Sequence, residues 1–250
     1  MTRYKWLDLI SLHHKAQAKQ WLIRKARDFS GIPYQHPIER FLCSPWMQHF
    51  GISLGVDVGA NEGQFAQIFR TAFPEATLVS FEPIDKCFNR LKDNFKNDKN
   101  FHGYKTGVGA KKEQISFHPT DFSPASSFLK IKQDVATTFS IKRAPEATKI
   151  QVDTLDNLLA PFELRQPAFL KVDTQGFELN VLKGAQKTLQ TFTLVLLELS
   201  LSQMYEDEPL FDEIYRFMTE HGFVMRAVLD VLKDPKTGKH LQVDVLFEKA

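Results

Sequence analysis

The chain is poor in cysteine. Only Cys43 and Cys87 are present, so neither a disulfide framework nor a cysteine metal site is expected, and a reducing compartment fits. No apolar run approaches the length of a membrane-spanning helix. The amino terminus lacks the continuous apolar segment of a secretory signal, so the expected location is cytoplasmic. Net charge is nearly absent, at +2. The core also lacks a basic stripe with interleaved aromatics, so no nucleic-acid partner is expected. Basic residues do outnumber acidic ones over residues 1–50, where they would face solvent or an anionic partner. Glycine is sparse too, at 12 residues in 250, which gives its placement meaning.

Two of those glycines, Gly59 and Gly63, punctuate the stretch LGVDVGANEGQF at 54–65. An apolar run carrying Asp57 breaks into a glycine turn and continues as an amphipathic stretch. That pattern predicts a buried strand, a tight turn and a helix start, whose free amides face the turn. A ligand-free turn would give the same pattern. The spacing is not the G-x-G-x-x-G of a dinucleotide loop. An acid in the loop repels a pyrophosphate and suits a ligand with a positive end. S-adenosylmethionine carries an ammonium and a sulfonium and no phosphate. The next predicted strand, TLVSFEP at 77–83, ends in Glu82. A carboxylate there can accept both hydroxyls of a ribose.

The length and a composition of 43% apolar and 25% charged residues describe one sizeable domain with a small amino-terminal extension. Residues 5–29 read as one or two amphipathic helices, able to cover the main domain or pair two copies. Strands and helices then alternate from about residue 51. Strands are predicted at 53–58, 77–82, 101–108, 168–173 and 192–199, with helices at 62–71, 84–96, 177–189 and 209–221. The segment of about 114–165 is an insertion with short strands at 114–118 and 149–152, and a short helix at 154–159. FTLVLLEL at 192–199 is the most apolar strand and is expected at the centre. Two last strands, 223–229 and 243–247, flank a hairpin-like turn at 234–238.

Six stretches together resemble the FkbM-type methyltransferases, a class I S-adenosylmethionine-dependent family. They are VDVGANEGQFA at 56–66, SFEP at 80–83, SSFLK at 126–130, VDTLD at 152–156, LKVDTQGFELNVLKGA at 170–185 and LELS at 197–200. The resemblance implies an α/β class I methyltransferase (Rossmann-like) fold. That fold has a mostly parallel seven-stranded sheet with an antiparallel final strand and helices on both faces. The expected domains are an extension at 1–50 and a methyltransferase domain at 51–250. The resemblance also implies S-adenosyl-L-methionine as cofactor and O-methylation of a sugar, glycan or related small molecule. A nitrogen, protein or RNA acceptor is the alternative within the class, although the D/N-P-P-[FYW] motif of base methyltransferases is absent after Asp173. A scaffold that binds cofactor without turnover is the alternative outside it. A NAD dehydrogenase fits least, given the loop spacing and the final hairpin.

The predicted cofactor residues are Asp57, Gly59, Ala60, Asn61, Glu62 and Gly63 around the methionine part, with Asp57 orienting its ammonium directly or through water. Glu82 takes the ribose. Phe81, Pro83, Gly107 and Val108 border the adenine, and Ser126 and Asp173 line the pocket. The predicted catalytic residues are Asp173, Glu198 and His118. Asp173 would orient the acceptor hydroxyl and take its proton late, since an ordinary carboxylate is a weak base for an alcohol. It could instead cap the following helix or bond the Gly176 turn. Glu178 falls on that helix's first turn, where an acid is favoured without any further role. His118 would be a base on a loop or would simply be exposed. A divalent metal held by Asp173, Glu198 and His118 would lower the acceptor's pKa, but their spacing is no metal signature. A homodimer through the amino-terminal helices is a further expectation.

Overall fold

A computed structural model describes residues 37–144 and 146–250. The chain opens with helices α1 (Pro37–Leu42) and α2 (Pro45–Gln48), then enters β1 (Leu54–Val58), α3 (Gln64–Ala72), β2 (Thr77–Phe81), α4 (Asp85–Asn94) and β3 (Phe101–Tyr104). The middle stretch holds β4 (Gly107–Val108), β5 (Glu113–Phe117), a 3-10 turn (Ser123–Ala125), α5 (Gln133–Phe139), β6 (Thr148–Asp153) and α6 (Leu155–Leu158). Then come β7 (Ala168–Val172), α7 (Glu178–Lys183), β8 (Leu194–Ser200), α8 (Phe211–Glu220), β9 (Phe223–Lys233) and β10 (His240–Lys249).

Seven strands form the main sheet in the order β3-β2-β1-β7-β8-β10-β9. The pairs β1–β2, β1–β7, β2–β3 and β7–β8 are parallel, and β10 runs antiparallel to both neighbours. Every residue of β1 and β7 is buried, which explains their near-continuous apolar sequence: strands covered on both faces have no side left for solvent. One face packs on α3 and α4 through Phe65, Phe69, Leu91 and Phe95. The other packs on α6, α7 and α8 through Leu155, Val181, Leu182, Ile214 and Met218. The apolar side chains of α3 recur three and four apart, which makes one buried stripe. Its Phe69 ring lies so close under β1 that a Cβ on Gly55 would sit 2.3 Å from it.

The structure redraws several sequence-predicted boundaries. Residues 37–50 are continuous with the main core, with Leu42 and Met47 buried among the α3 aromatics. The amphipathic reading of 5–29 and the dimer contact assigned to it fall outside the described residues. The strand predicted at 101–108 is two strands, because β4 leaves the main sheet for a small one, ordered β4-β6-β5. The helix predicted at 177–189 breaks after Lys183. There Gly184 passes so near Gly109 that a Cβ would lie 2.0 Å from its carbonyl oxygen. The last two strands are longer than predicted and carry register shifts. No described helix is long and apolar enough to cross a membrane.

Candidate active site

The β1–α3 turn is held against β2 and β7. The Gly59 and Ala60 amides donate to the Phe81 carbonyl, at 3.0 and 3.1 Å. Gly59 has φ 78°, and a Cβ there would stand 1.9 Å from the Asp173 carbonyl oxygen. Only glycine meets both demands. The turn and Asp173 therefore lie against each other at the carboxyl edge of the sheet, where open α/β folds bind ligands.

Two cavities open at this edge. The first is bordered by Glu82 and Asn61 on its polar side and by apolar groups, among them Phe81, Pro83, Val108, Phe117 and Phe128. Glu82 accepts the Asn61 amide on Oε2 and the Ile84 amide on Oε1, both at 2.8 Å. Burial pushes its carboxyl up to about 7 even so. Each oxygen keeps capacity for another donor. The Asn61 side-chain carbonyl is buried with no donor from the described residues. An apolar slot with a two-oxygen acceptor and an unsatisfied carbonyl side by side on its polar side fits a nucleoside with hydroxyls and an attached ammonium-bearing arm. Gly107, Val108 and Ser126 also line it.

The second cavity, of about 370 Å³, adjoins the first and shares Gly59, Asn61, Pro124 and Asp173 with it. Its polar lining includes Lys171, Asp173, Glu198 and Asp244. The pleat explains the grouping. Asp57 stands opposite Lys171, and Asp244 stands opposite both Glu198 and Asp230, so a polar row crosses one face of the sheet. The Lys171 ammonium lies 3.2 Å from Asp57 Oδ1 and 3.5 Å from Asp173 Oδ2. It also donates to the Gly59 carbonyl at 3.0 Å. Burial works against that charge, but the carboxylates of Asp57 and Asp173 hold the ammonium well above the ordinary lysine range. Burial pushes Glu198 well up, and Asp173 and Asp244 add to it. Burial, then Asp173 and Asp230, raises Asp244 to about 7.

Several sequence-predicted site residues are placed differently. Asp57 is fully buried and borders neither cavity. Its carboxylate faces Lys171, so it cannot reach a ligand ammonium directly. Glu62 turns outward to Arg90, at 2.5 Å, and Gly63 abuts Leu91 and Phe95 as the helix start. Ala60 lines the second cavity rather than the first. His118 borders a separate cleft with Lys130 and Arg143, because its backbone pairs with Ser127 at the edge of the insertion. Burial, then Lys130, lowers its pKa. The proposed trio of Asp173, Glu198 and His118 is thus not assembled, and no group of His, Cys, Asp or Glu among the described residues is placed to hold a metal ion.

Glu178 supplies the cap that was the alternative for Asp173, and Asp173 Oδ1 accepts the Gln175 side-chain amide inside the same turn at 2.8 Å. The Glu178 carboxylate accepts the Thr174 amide at 2.7 Å and the Gly176 amide at 3.2 Å, so it ties the turn that Asp173 would otherwise have to cap. Asp173 faces both cavities instead. Sequence reading passed over Lys171, Asp244 and Gln175. For Lys171 a signal existed: a lone cation inside the apolar run AFLKV needs a buried counter-charge. Asp244 lies on an alternating strand where nothing marks it.

The profile described as methyltransferase FkbM domain matches residues 57–225. Among similar proteins, the hexuronic acid methyltransferase AglP of Haloferax volcanii is 27% identical over 179 residues, which is 68% of this chain and 68% of that one. The 2-O-methyltransferase NoeI of Sinorhizobium fredii is 22% identical over 183 residues, or 71% of this chain and 70% of the relative. A solved FkbM methyltransferase from Methylobacillus flagellatus superposes with TM-score 0.49 at 13% identity. It covers 82% of this chain but only 47% of its own length.

Proposed function

Because the chain belongs to the FkbM family of S-adenosylmethionine-dependent methyltransferases, we propose that it methylates a hydroxyl of a sugar or glycan. The observation that carries this reading is the pair of adjoining cavities with Asp173 between them. Of the two named relatives, the one called a hexuronic acid methyltransferase supports a sugar, and the one called a 2-O-methyltransferase supports an oxygen acceptor.

In this reading the first cavity takes the nucleoside and the second takes the acceptor. When bound, S-adenosylmethionine supplies a methyl group activated by its sulfonium. Glu82 accepts the ribose hydroxyls, and Asn61 offers its unsatisfied carbonyl to the ammonium. The residues Phe81, Pro83 and Val108 give the base an apolar bed. Asp173 accepts a hydrogen bond from the acceptor hydroxyl, orients its lone pair and receives the proton as the new bond forms. The Lys171 ammonium, 3.5 Å from Asp173 Oδ2, helps to hold that side chain in place. Glu198 and Asp244, half-buried in the lining of that cavity, hold neighbouring hydroxyls.

Two results follow. Calorimetry with S-adenosylhomocysteine is expected to give micromolar binding and none with NADH. Transfer of labelled methyl into a panel of methyl glycosides then tests the acceptor, and turnover only on phenols or amines would refute the sugar reading. Glu82 adds a pH dependence. Only its ionised form accepts both hydroxyls, so S-adenosylhomocysteine affinity should weaken as pH falls below about 7, by at most about tenfold per pH unit. Glu82→Gln should be weaker by roughly 10–100-fold at pH 8, the loss of hydrogen bonds to a charged group, and nearly flat with pH. A wild-type affinity unchanged between pH 5.5 and 8 would remove Glu82 from the ribose.

A further inference from the structure

The turn after β7 contains a glutamine in an unusual position. Gln175 has φ 57°, a left-handed conformation uncommon for a side-chain-bearing residue. Its side-chain amide donates from Nε2 to two carboxylates, Asp173 Oδ1 at 2.8 Å and Glu198 Oε2 at 2.6 Å. Its Oε1 accepts the Tyr205 hydroxyl at 2.9 Å. The orientation of the amide follows from chemistry. The Asp173 carboxylate, ion-paired to Lys171, only accepts, so the NH₂ end must face it and the neighbouring Glu198, and the phenol supplies the proton at the other end. Tyr205 is 1% exposed, and its hydroxyl also reaches the Ala125 carbonyl at 3.2 Å. Ser127 Oγ donates to the Gln175 carbonyl at 2.7 Å. The glutamine is therefore gripped from both ends by the insertion and by the segment after β8.

The Asp173 and Glu198 carboxyls face one cavity, and Lys171 reaches Asp173 while, among the described residues, no ion pair of its own holds Glu198. A single NH₂ group between them lets both hold fixed positions. We propose that Gln175 is a positioning residue for methyl transfer, clamping Asp173 and Glu198 in one geometry, and that Tyr205 locks the clamp to the insertion that borders the cofactor cavity. The proposal rests on Asp173 being the group that meets the acceptor hydroxyl. It adds a coupling. Ser123, Pro124 and Ser126 border the first cavity, and the same loop carries the Ala125 carbonyl that Tyr205 holds. Ordering this loop around the cofactor thereby orders the carboxylates that face the acceptor.

Gln175→Met keeps the length and removes the donor. Tyr205→Phe keeps the clamp and removes its lock. The full chain loaded with S-adenosylhomocysteine, labelled with ¹³C at glutamate carboxyls, reports the Glu198 titration by NMR. Turnover with the best of the methyl glycoside panel reports catalysis. A donor to the ionised form holds a carboxyl's pKa down, so Gln175→Met should move the Glu198 titration to higher pH. It should also cut kcat about 10–100-fold, with KM for S-adenosylmethionine changed less than about threefold. Tyr205→Phe should do both in the same direction and more weakly. An unmoved Glu198 titration with unchanged kcat in a folded Gln175→Met would overturn the proposal, as would a loss confined to cofactor KM, which would make Gln175 a wall of the first cavity. If Gln175→Met does not fold, Tyr205→Phe decides by the same two readouts. Full activity in Asp173→Asn would instead sink the underlying reading, while an inactive Asp173→Asn beside a normal Gln175→Met sinks the clamp alone.

Discussion

Asp173→Asn is expected to fold, to bind S-adenosylhomocysteine within about threefold of the wild type, and to lose methyl transfer by roughly 10²–10⁴-fold, the range for removing a positioned general base. Asparagine keeps the shape and still presents an oxygen to the Gln175 amide, which donates to Asp173 Oδ1 at 2.8 Å. The turn should survive, since Glu178 and not Asp173 holds its amides. What disappears is the capacity to take a proton and the charge that Lys171 faces at 3.5 Å. The loss should therefore fall on kcat, because the interaction matters most as the hydroxyl proton is released. Single-turnover assays with preloaded S-adenosylmethionine would separate this from slow release. Turnover at the wild-type rate would leave Asp173 as a lining residue and return the search for a base to Asp244 and Glu198.

The fold was readable wherever periodicity was strong. Buried strands 54–58, 168–172 and 194–200 announce themselves as apolar runs, because a strand covered on both faces has no polar side. The loop from Gly59 and the acid at 82 were readable for the same reason: each breaks a pattern at a strand's carboxyl end. The site was readable only as far as chemistry stays local. The Asp57–Lys171 pair spans the chain and exists because β1 and β7 are neighbours in register. Without that register, Asp57 reads as a ligand group with no sign of the buried lysine it faces. The error on His118 has the same origin. A histidine on a loop after β5 could face any side, and the small β4-β6-β5 sheet turns it toward Lys130 and Arg143. Gln175 was hidden for a different reason. Its role depends on three partners from separate segments, and a glutamine in a turn has no sequence signature of its own.

Lys171→Met should destabilise the protein by about 3–5 kcal/mol, the usual result of stripping one partner from a buried ion pair. For a chain of this size that is a fall in Tm of roughly 6–20 °C. Lys171 is 8% exposed and Asp57 is 0% exposed, so the pair is largely shielded from bulk water. Neither Asp57 oxygen has another hydrogen-bond donor among the described residues. The pair as a whole need not be stabilising, since its desolvation is costly. Removing Asp57's charge as well, in Asp57→Asn with Lys171→Met, should therefore recover much of the loss. The pH dependence has a definite sign. Burial already pushes the Asp57 carboxyl up and Lys171 pulls against it. Without the lysine the folded-state pKa rises further above the unfolded one, so the folded variant holds a proton the unfolded chain releases. Its stability falls as pH rises above the ordinary aspartate range and on through the raised value. The deficit against wild type should accordingly shrink at pH 5 and widen at pH 8 in urea titrations. A deficit that is small or constant with pH would mean that Asp57 finds another donor or that solvent enters the row.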